Sequence, residues 1–407
     1  MTILDTGSAW RVDPIIDSPR AWVAAAAVSA ANGVGFGIAY TFGTFFDAMA
    51  TEFNADRGST ALIFGVTLLF FFGFGVVSGP LSDHLGPRPL LLLGGFTMVF
   101  GLWVTARADS LAVAIIAYGI GVGIGGGLYI APLSASIGKM FDKRRPAAFS
   151  LMAVGNGVGV LVLVPLSERI IARQDWREAY VTLAVIAAVV FVVCSLLIVS
   201  RPGTGAAEGP TTGALFTNPG FAALFAVSLL MSIGLFIAFA FIQTFAVDDG
   251  VSVATAARLV SVVGLASIFG RVGLTALVRP LGALTVVRLA LAIQTIAYIL
   301  WYFAEGSVGL LLAFVLLFGS AYGGFVAVIP EASIRIVGLV GFGKSIGLLY
   351  FSFGLGGLIG PPLAGRLADS TTSNDVPILL TVGLLAVATL TLEVTRRLGR
   401  LGETATT

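Results

Sequence analysis

Twelve apolar runs, most of them long enough to cross a bilayer, constrain this chain more than any other feature. They fall at about 21–46, 60–82, 88–106, 110–139, 146–167, 177–200, 219–246, 254–278, 281–303, 307–331, 344–366 and 376–395. A helix needs about 20 apolar residues to span the hydrocarbon core. Inside lipid an open chain satisfies its backbone groups only as helix. Charged residues make up 11% of the chain, against roughly 25% in soluble domains. The expected fold class is an all-α membrane protein.

Several function classes drop out early. A net charge of +2 leaves no nucleic-acid footprint. The single cysteine, Cys194, lies inside an apolar run, so no disulfide is expected. Asp5, Asp13 and Asp17 precede the first run, which is the wrong flank for a cleaved signal peptide, and that run is also too long for one. No nucleophile–base pair, metal cluster or phosphate loop stands out, so neither an enzyme nor a cofactor is expected. Gly121-Val-Gly-Ile-Gly-Gly126 fits a dinucleotide fingerprint, but it lies in a membrane run with no strand before it. Small residues there serve close helix approach instead.

The runs divide six and six. Residues 1–200 and 219–407 form the expected halves, and the Gly/Pro-rich stretch 201–218 the linker between them. The second half repeats features of the first. Gly127-Leu-Tyr-Ile-Ala-Pro132 and Pro165 return as Phe325-Val-Ala-Val-Ile-Pro330 and Pro361-Pro362, an offset close to 198 residues. The row Gly155, Gly157, Gly159 returns as Gly354, Gly356, Gly357. Such duplication is expected of transporters built from repeats. With the chain ends and the even-to-odd connections on the cytoplasmic side, that side holds 15 Lys and Arg and the other side 7. Both termini are therefore expected in the cytoplasm of a bacterial cell, the protein crossing its inner membrane.

Two groups of motifs carry chemistry. The connection after the second run reads Gly79-Pro-Leu-Ser-Asp83-His-Leu-Gly86-Pro-Arg88, where a charge pair on a tight turn would latch two helices. It resembles the G-x-L-x-D-x-x-G-x-R signature of the major facilitator superfamily, which implies a twelve-helix fold of two pseudo-symmetric six-helix halves. Its second-half counterpart, Gly273 to Gly282, keeps the glycines and loses the aspartate. The only histidine, His84, is expected to be solvated. Further on stand Ile137-Gly-Lys139-Met-Phe141-Asp-Lys143-Arg144-Arg145-Pro146, Asp175-Trp-Arg-Glu-Ala and Gly360-Pro-Pro-Leu-Ala-Gly365-Arg-Leu-Ala-Asp369. These stretches resemble the monocarboxylate porter family, which includes oxalate:formate antiporters. The basic run 143–145 reads as a topology determinant with a gating role. Asp83, Arg88, Gly79, Arg144, Arg145 and Glu331 are the expected gating residues.

Arg271 is the candidate of most weight. It interrupts the eighth apolar run about a dozen residues inside either end, and an arginine at that depth normally faces a cavity and a partner. Its planar fork holds a carboxylate through two charge-assisted hydrogen bonds. The resemblance implies that role, since an arginine at the matching point of helix 8 binds the substrate carboxylate in the porters. The family often has an aspartate one turn earlier, where Ser267 stands, and a lysine on helix 1, where Tyr40 stands. The stretch 347–361 is uncharged, so the second cation of oxalate carriers is missing and a monoanion is expected. Glu331, at the expected end of the tenth run, is the nearest acid for proton coupling.

Tyr40, Tyr129, Tyr322 and Tyr350 offer hydroxyls and ring faces. Helices 1, 4, 7 and 10 line the cavity in the superfamily, which favours Tyr129 and Tyr322. Asn156 and Gln243 complete the candidate substrate-binding set. The expected activity is alternating-access transport of a small monocarboxylate, coupled by proton symport or anion exchange, by a monomer whose partners are the carboxylate, the bilayer and protons. The alternative is a drug or lipophilic-compound exporter of the same superfamily. A membrane receptor would need a soluble domain, and the tails 1–20 and 395–407 are too short for one.

Overall fold

The computed structural model describes residues 16–141, 144–198, 210–338 and 342–397. Among them there is no strand, and twelve helices are long and apolar enough to cross a membrane. They are α1 Pro19–Glu52, α2 Arg57–Gly79, α3 Pro87–Thr105, α4 Leu111–Gly138, α5 Ala147–Arg173, α6 Trp176–Leu197, α7 Pro219–Asp248, α8 Val253–Ala276, α9 Ala283–Tyr302, α10 Val308–Val337, α11 Lys344–Thr371 and α12 Asp375–Arg397. Twelve crossings return the chain to the side where it began. That side is called here the terminal face, and the other the opposite face. α1 and α7 are the most enclosed helices, and α5, α6 and α12 the least.

Local chemistry sets most helix starts. Ser18, Asp56, Ser110, Asp175 and Ser252 each accept a backbone N–H from three residues on. Asn218 accepts from Gly220 and Phe221. Pro19, Pro87 and Pro219 open their helices where a missing N–H leaves nothing unpaired. Where the structure departs from the apolar runs, it mostly extends them. α1 runs past Phe46 to Glu52, and α10 continues through Pro330 and Glu331 to Val337. The helix that begins α2 resumes as Gly75–Leu85, so residues 79–85 of the signature are helical and the turn itself is Gly86 at φ 77°. Gly282, at φ 81°, does the same between α8 and α9. An L side chain at either position would be strained, so the two connections share one backbone device. Within the linker, Thr212–Thr217 forms one short helix, and residues 201–209 lie outside the described residues.

The repeated glycine rows serve two helices each. A Cβ at Gly155 would meet Ser29 of α1, and one at Gly159 would overlap the Gly33 backbone. Between them, Gly157 faces the carbonyl of Gly264 on α8. In α11, Gly356 and Gly360 lie against Ser232 and Ile233 of α7, while Gly354 and Gly357 lie against Leu68 and Leu69 of α2. One face of each row thus joins helices within a set of six, and another joins the two sets. Such close approach is how helices associate in lipid.

Candidate functional site

A break in α1 positions the first cavity residue. The helix is interrupted at Thr41, whose hydroxyl donates to the Ile38 carbonyl at 2.7 Å. The same carbonyl accepts the Tyr118 hydroxyl at 2.8 Å, from a π-helical segment of α4, Ile115–Val122. Tyr40, one residue before the break, stacks on Phe239 of α7 with ring centroids 4.3 Å apart at 10°. Phe239 in turn meets the edge of Tyr322 on α10 at 5.7 Å.

These rings wall a small central cavity. Its lining is Tyr40, Asn156, Gly157, Val160, Phe239, Val263, Gly264, Ser267, Arg271 and Tyr322, drawn from α1, α5, α7, α8 and α10. It encloses about 10 Å³, close to the space of one water. Arg271 is 8% exposed, and its guanidinium lies 5.6 Å from the Tyr322 ring centroid. Its Nε and Nη2 groups have no hydrogen-bond partner, nor does Asn156 Oδ1. Among the described residues no carboxylate forms an ion pair with Arg271. Ser267, where the family often has aspartate, spends its hydroxyl proton on the Gly264 carbonyl at 2.8 Å. The expected depth of Arg271 needs correcting. It stands 276 − 271 = 5 residues from the end of α8 and 271 − 253 = 18 from the start, nearer the terminal face, and the run 254–278 itself already sets it off-centre.

The other expected site residues separate into groups. Tyr40, Tyr322 and Asn156 line the cavity with Arg271. Tyr350 is off the lining, its ring 6.2 Å from that of Phe72 on α2. Tyr129 is a correction. Its ring packs between Gly35 of α1, Gly94 of α3 and Phe191 of α6, fully buried and off the cavity lining. Gln243 lies outside the cavity too, accepting the Thr44 hydroxyl at 3.0 Å toward the opposite face.

Most of the expected gating residues lie at the terminal face. Arg88 is half-buried and His84 exposed. The exposed Arg144 donates its backbone N–H to Asp17 at 3.3 Å. Glu331 pairs along its own helix with Arg335 at 3.3 Å. The side chains of Asp83 and Arg145 lie outside the described residues. A Cβ at Gly79, Gly273 or Gly347, toward the terminal-face ends of α2, α8 and α11, would meet nothing within 4 Å among the described residues.

At the opposite face the structure shows a cluster that the sequence motifs only partly flag. Arg57, at the start of α2, bonds Asp248 at 2.7 Å and Asn374 at 3.0 Å, and its backbone N–H donates to Asp369 at 2.9 Å. Asp369 closes one of the family-like stretches quoted above. Beside it Thr244 donates to Asp47, at 3.2 and 3.3 Å to the two carboxylate oxygens. Among the described residues, every ion pair joining α1–α6 to α7–α12 belongs to this cluster. These contacts tie α1–α6 to α7–α12 at the opposite face. Burial, with Asp248, Asp375 and Glu305 nearby, pushes the adjacent Asp249 carboxyl up from its usual range. Replacing Arg57 with Ala removes charge-assisted bonds that are about one-third exposed, roughly 1–2 kcal/mol together. In a Cys194→Ser background, a Gln243→Cys probe is expected to react about tenfold faster with an impermeant maleimide after Arg57→Ala; an unchanged rate would count against the latch.

Among the described residues, twelve candidate membrane helices surround a cavity lined by one buried cation, Arg271. The chain belongs to the Major Facilitator Superfamily, whose family model matches residues 25–343. The family and the curated relatives are transporters and not enzymes. The chain is 29% identical to Monocarboxylate transporter 3 of Rattus norvegicus over 88% of its length and 76% of the relative's. It is 28% identical to Monocarboxylate transporter 11 of Homo sapiens, covering 91% of the chain and 81% of the relative. A fungal relative, the fujikurins efflux protein of Gibberella fujikuroi, is 25% identical over 85% of the chain and 76% of its own length. Among solved structures, a bacterial homologue of the human lysosomal transporter Spinster, inward-facing and occupied, superposes with a TM-score of 0.76 at 15% identity, over 97% of this chain and 100% of that one. The peptide transporter POT in complex with sulfate gives 0.75 at 14% identity, over 94% and 95%.

Proposed function

We propose that this protein moves a small monocarboxylate across a membrane by alternating access, with Arg271 holding the carboxylate. One observation carries the reading: a nearly buried guanidinium with two free N–H groups opens into a cavity walled by α1, α5, α7, α8 and α10. A buried charge without a partner is strongly unfavourable, and a carboxylate supplies both the charge and the paired acceptors. The similarity to monocarboxylate transporters supports the same substrate class.

The remaining parts of the reading follow from this. The chain's two six-helix halves rock about the cavity, the Arg57 cluster closing one side and the ends of α2, α8 and α11 the other. Tyr40, Tyr322 and Asn156 contact the passenger. The Lys and Arg excess puts the terminal face, with both chain ends, in the cytoplasm of a bacterial cell. The cavity lies within one chain, so the monomer is the working unit. Among the described residues no carboxylate lines the cavity, which favours exchange for a second anion over symport of a proton through a neighbouring acid.

Uptake into proteoliposomes tests all of this. Labelled mono- and dicarboxylates are offered with and without an imposed pH gradient, alongside a lipophilic cation. Monocarboxylate uptake that exceeds dicarboxylate uptake is the expected result. Transport of the lipophilic compound alone would favour the exporter reading that the fungal relative's name raises.

A further inference from the structure

Where α9 begins and α12 ends, at the terminal face, three arginines converge on one carboxylate. Arg288 of α9 donates from Nη1 to Glu393 Oε2 of α12 at 2.9 Å, and from Nη2 to the Thr285 hydroxyl at 3.1 Å. Arg396 clasps both Glu393 oxygens, at 2.7 and 3.0 Å, and Arg397 adds a fourth bond at 2.8 Å. Four hydrogen bonds fill the acceptor sites of a carboxylate. The two-pronged Arg396 contact already matches the one negative charge, so Arg288 and Arg397 are surplus to it. Among the described residues no second acid forms an ion pair with either. Like charges held this close repel, which favours an anion between them.

The cluster caps an apolar seam. The Arg288–Glu393 bridge joins two helices that pack side by side, and deeper in the span both turn exposed apolar side chains outward. These are Ile296, Ile299 and Phe303 of α9 and Val387 and Leu390 of α12, all 41–62% exposed. They recur every three or four residues, which gives each helix one outward stripe leading up to the arginines. A positive end above a hydrocarbon track fits a ligand with a negative head and long apolar chains.

We propose that this seam binds one anionic phospholipid, its phosphodiester between Arg288 and Arg397 and its acyl chains along α9 and α12. The site lies on the outer flank of the second set of six helices, so it stands whatever Arg271 carries. Each arginine near such a head group is worth about fivefold in affinity.

Native mass spectrometry of the full chain tests this. The protein is released from detergent holding equal amounts of phosphatidylglycerol and phosphatidylcholine with the same acyl chains. The wild-type chain is expected to retain phosphatidylglycerol over phosphatidylcholine by about tenfold or more, and Arg288→Gln with Arg397→Gln to bring that ratio within about threefold. Arg397→Gln alone, expected to lower it about fivefold, stands in if the pair does not reach the membrane. Arg20→Gln with Arg279→Gln removes the same charge from two exposed positions elsewhere on the terminal face and is expected to leave the ratio unchanged. An even ratio in the wild type, a preference that survives the α9–α12 substitutions, or an equal loss in the Arg20 and Arg279 control would overturn the site. So would displacement of the lipid by excess inorganic phosphate, which would make the ligand a soluble anion. A dimer that retains no lipid would overturn it too, by making the occupant a second copy of the chain.

Discussion

Arg271→Gln is expected to reduce monocarboxylate uptake at least a hundredfold while leaving the protein folded and at least as stable as before. The two effects have one cause and opposite signs. Glutamine keeps hydrogen-bonding capacity and loses the charge, so the passenger's carboxylate would enter a nearly dry cavity with no counter-ion. Truncating one partner of such a buried pair costs about 3–5 kcal/mol, which exceeds the roughly 2.7 kcal/mol of a hundredfold effect. The empty protein, however, no longer buries an unpaired cation, so its unfolding midpoint stays or rises. Arg271→Lys keeps the charge and loses the planar fork, and is expected to retain a small fraction of uptake. If Arg271 served only as a packing element on Tyr322, the glutamine variant would unfold earlier and its residual uptake would track the amount of folded protein. Flux per folded molecule, together with a heat-unfolding midpoint, separates the cases.

The glycines of α5 carry the second large effect, and neighbouring positions should fail in different ways. At Gly159 a Cβ would overlap the Gly33 backbone of α1, an atom that cannot rotate away. Gly159→Val is therefore expected to prevent folding, since overpacking of rigid backbone costs more than the usual ~1–3 kcal/mol of an overfilled core. At Gly157 the obstruction is the Gly264 carbonyl on α8, across the boundary between the two sets of six helices. Gly157→Val should fold, separate α5 from α8 and reduce uptake more than tenfold. Gly383→Ala in α12, with nothing within 4 Å of the added carbon, is the control, expected neutral or slightly stabilising. Size-exclusion profiles and uptake per folded molecule read all three. Normal folding of Gly159→Val would contradict the close α1–α5 crossing.

Helix number and the buried cation were legible because lipid makes both conspicuous. A charge within an apolar run is rare, and Arg271 stood out for that reason. What resisted reading was the direction in which side chains point. Tyr129 was favoured only because helix 4 lines the cavity in the superfamily, and membership of a helix does not say which of its faces a residue takes; its ring packs among Gly35, Gly94 and Phe191. The glycine rows were visible as repeats, but their division between two partner helices depends on crossing geometry that no local pattern encodes. The Arg57 cluster was harder still. Its backbone contact joins residues 312 positions apart, and Arg57, Asp248 and Asn374 each look in sequence like solvated loop residues. Glu331 was misplaced at a helix end because Pro330 looked like a terminator, whereas α10 runs through it to Val337.

The most direct test is ligand-dependent heat unfolding of the detergent-solubilised protein, because it asks whether the cavity binds a carboxylate before any question of coupling or direction. A ligand that binds only the folded state at a hundred times its Kd adds about 2.7 kcal/mol of stability. A saturating small monocarboxylate is predicted to raise the unfolding midpoint of the wild-type chain, the corresponding neutral amide to leave it unchanged, and Arg271→Gln to remove the response. An equal rise with the amide, or a full rise in the glutamine variant, would contradict the account.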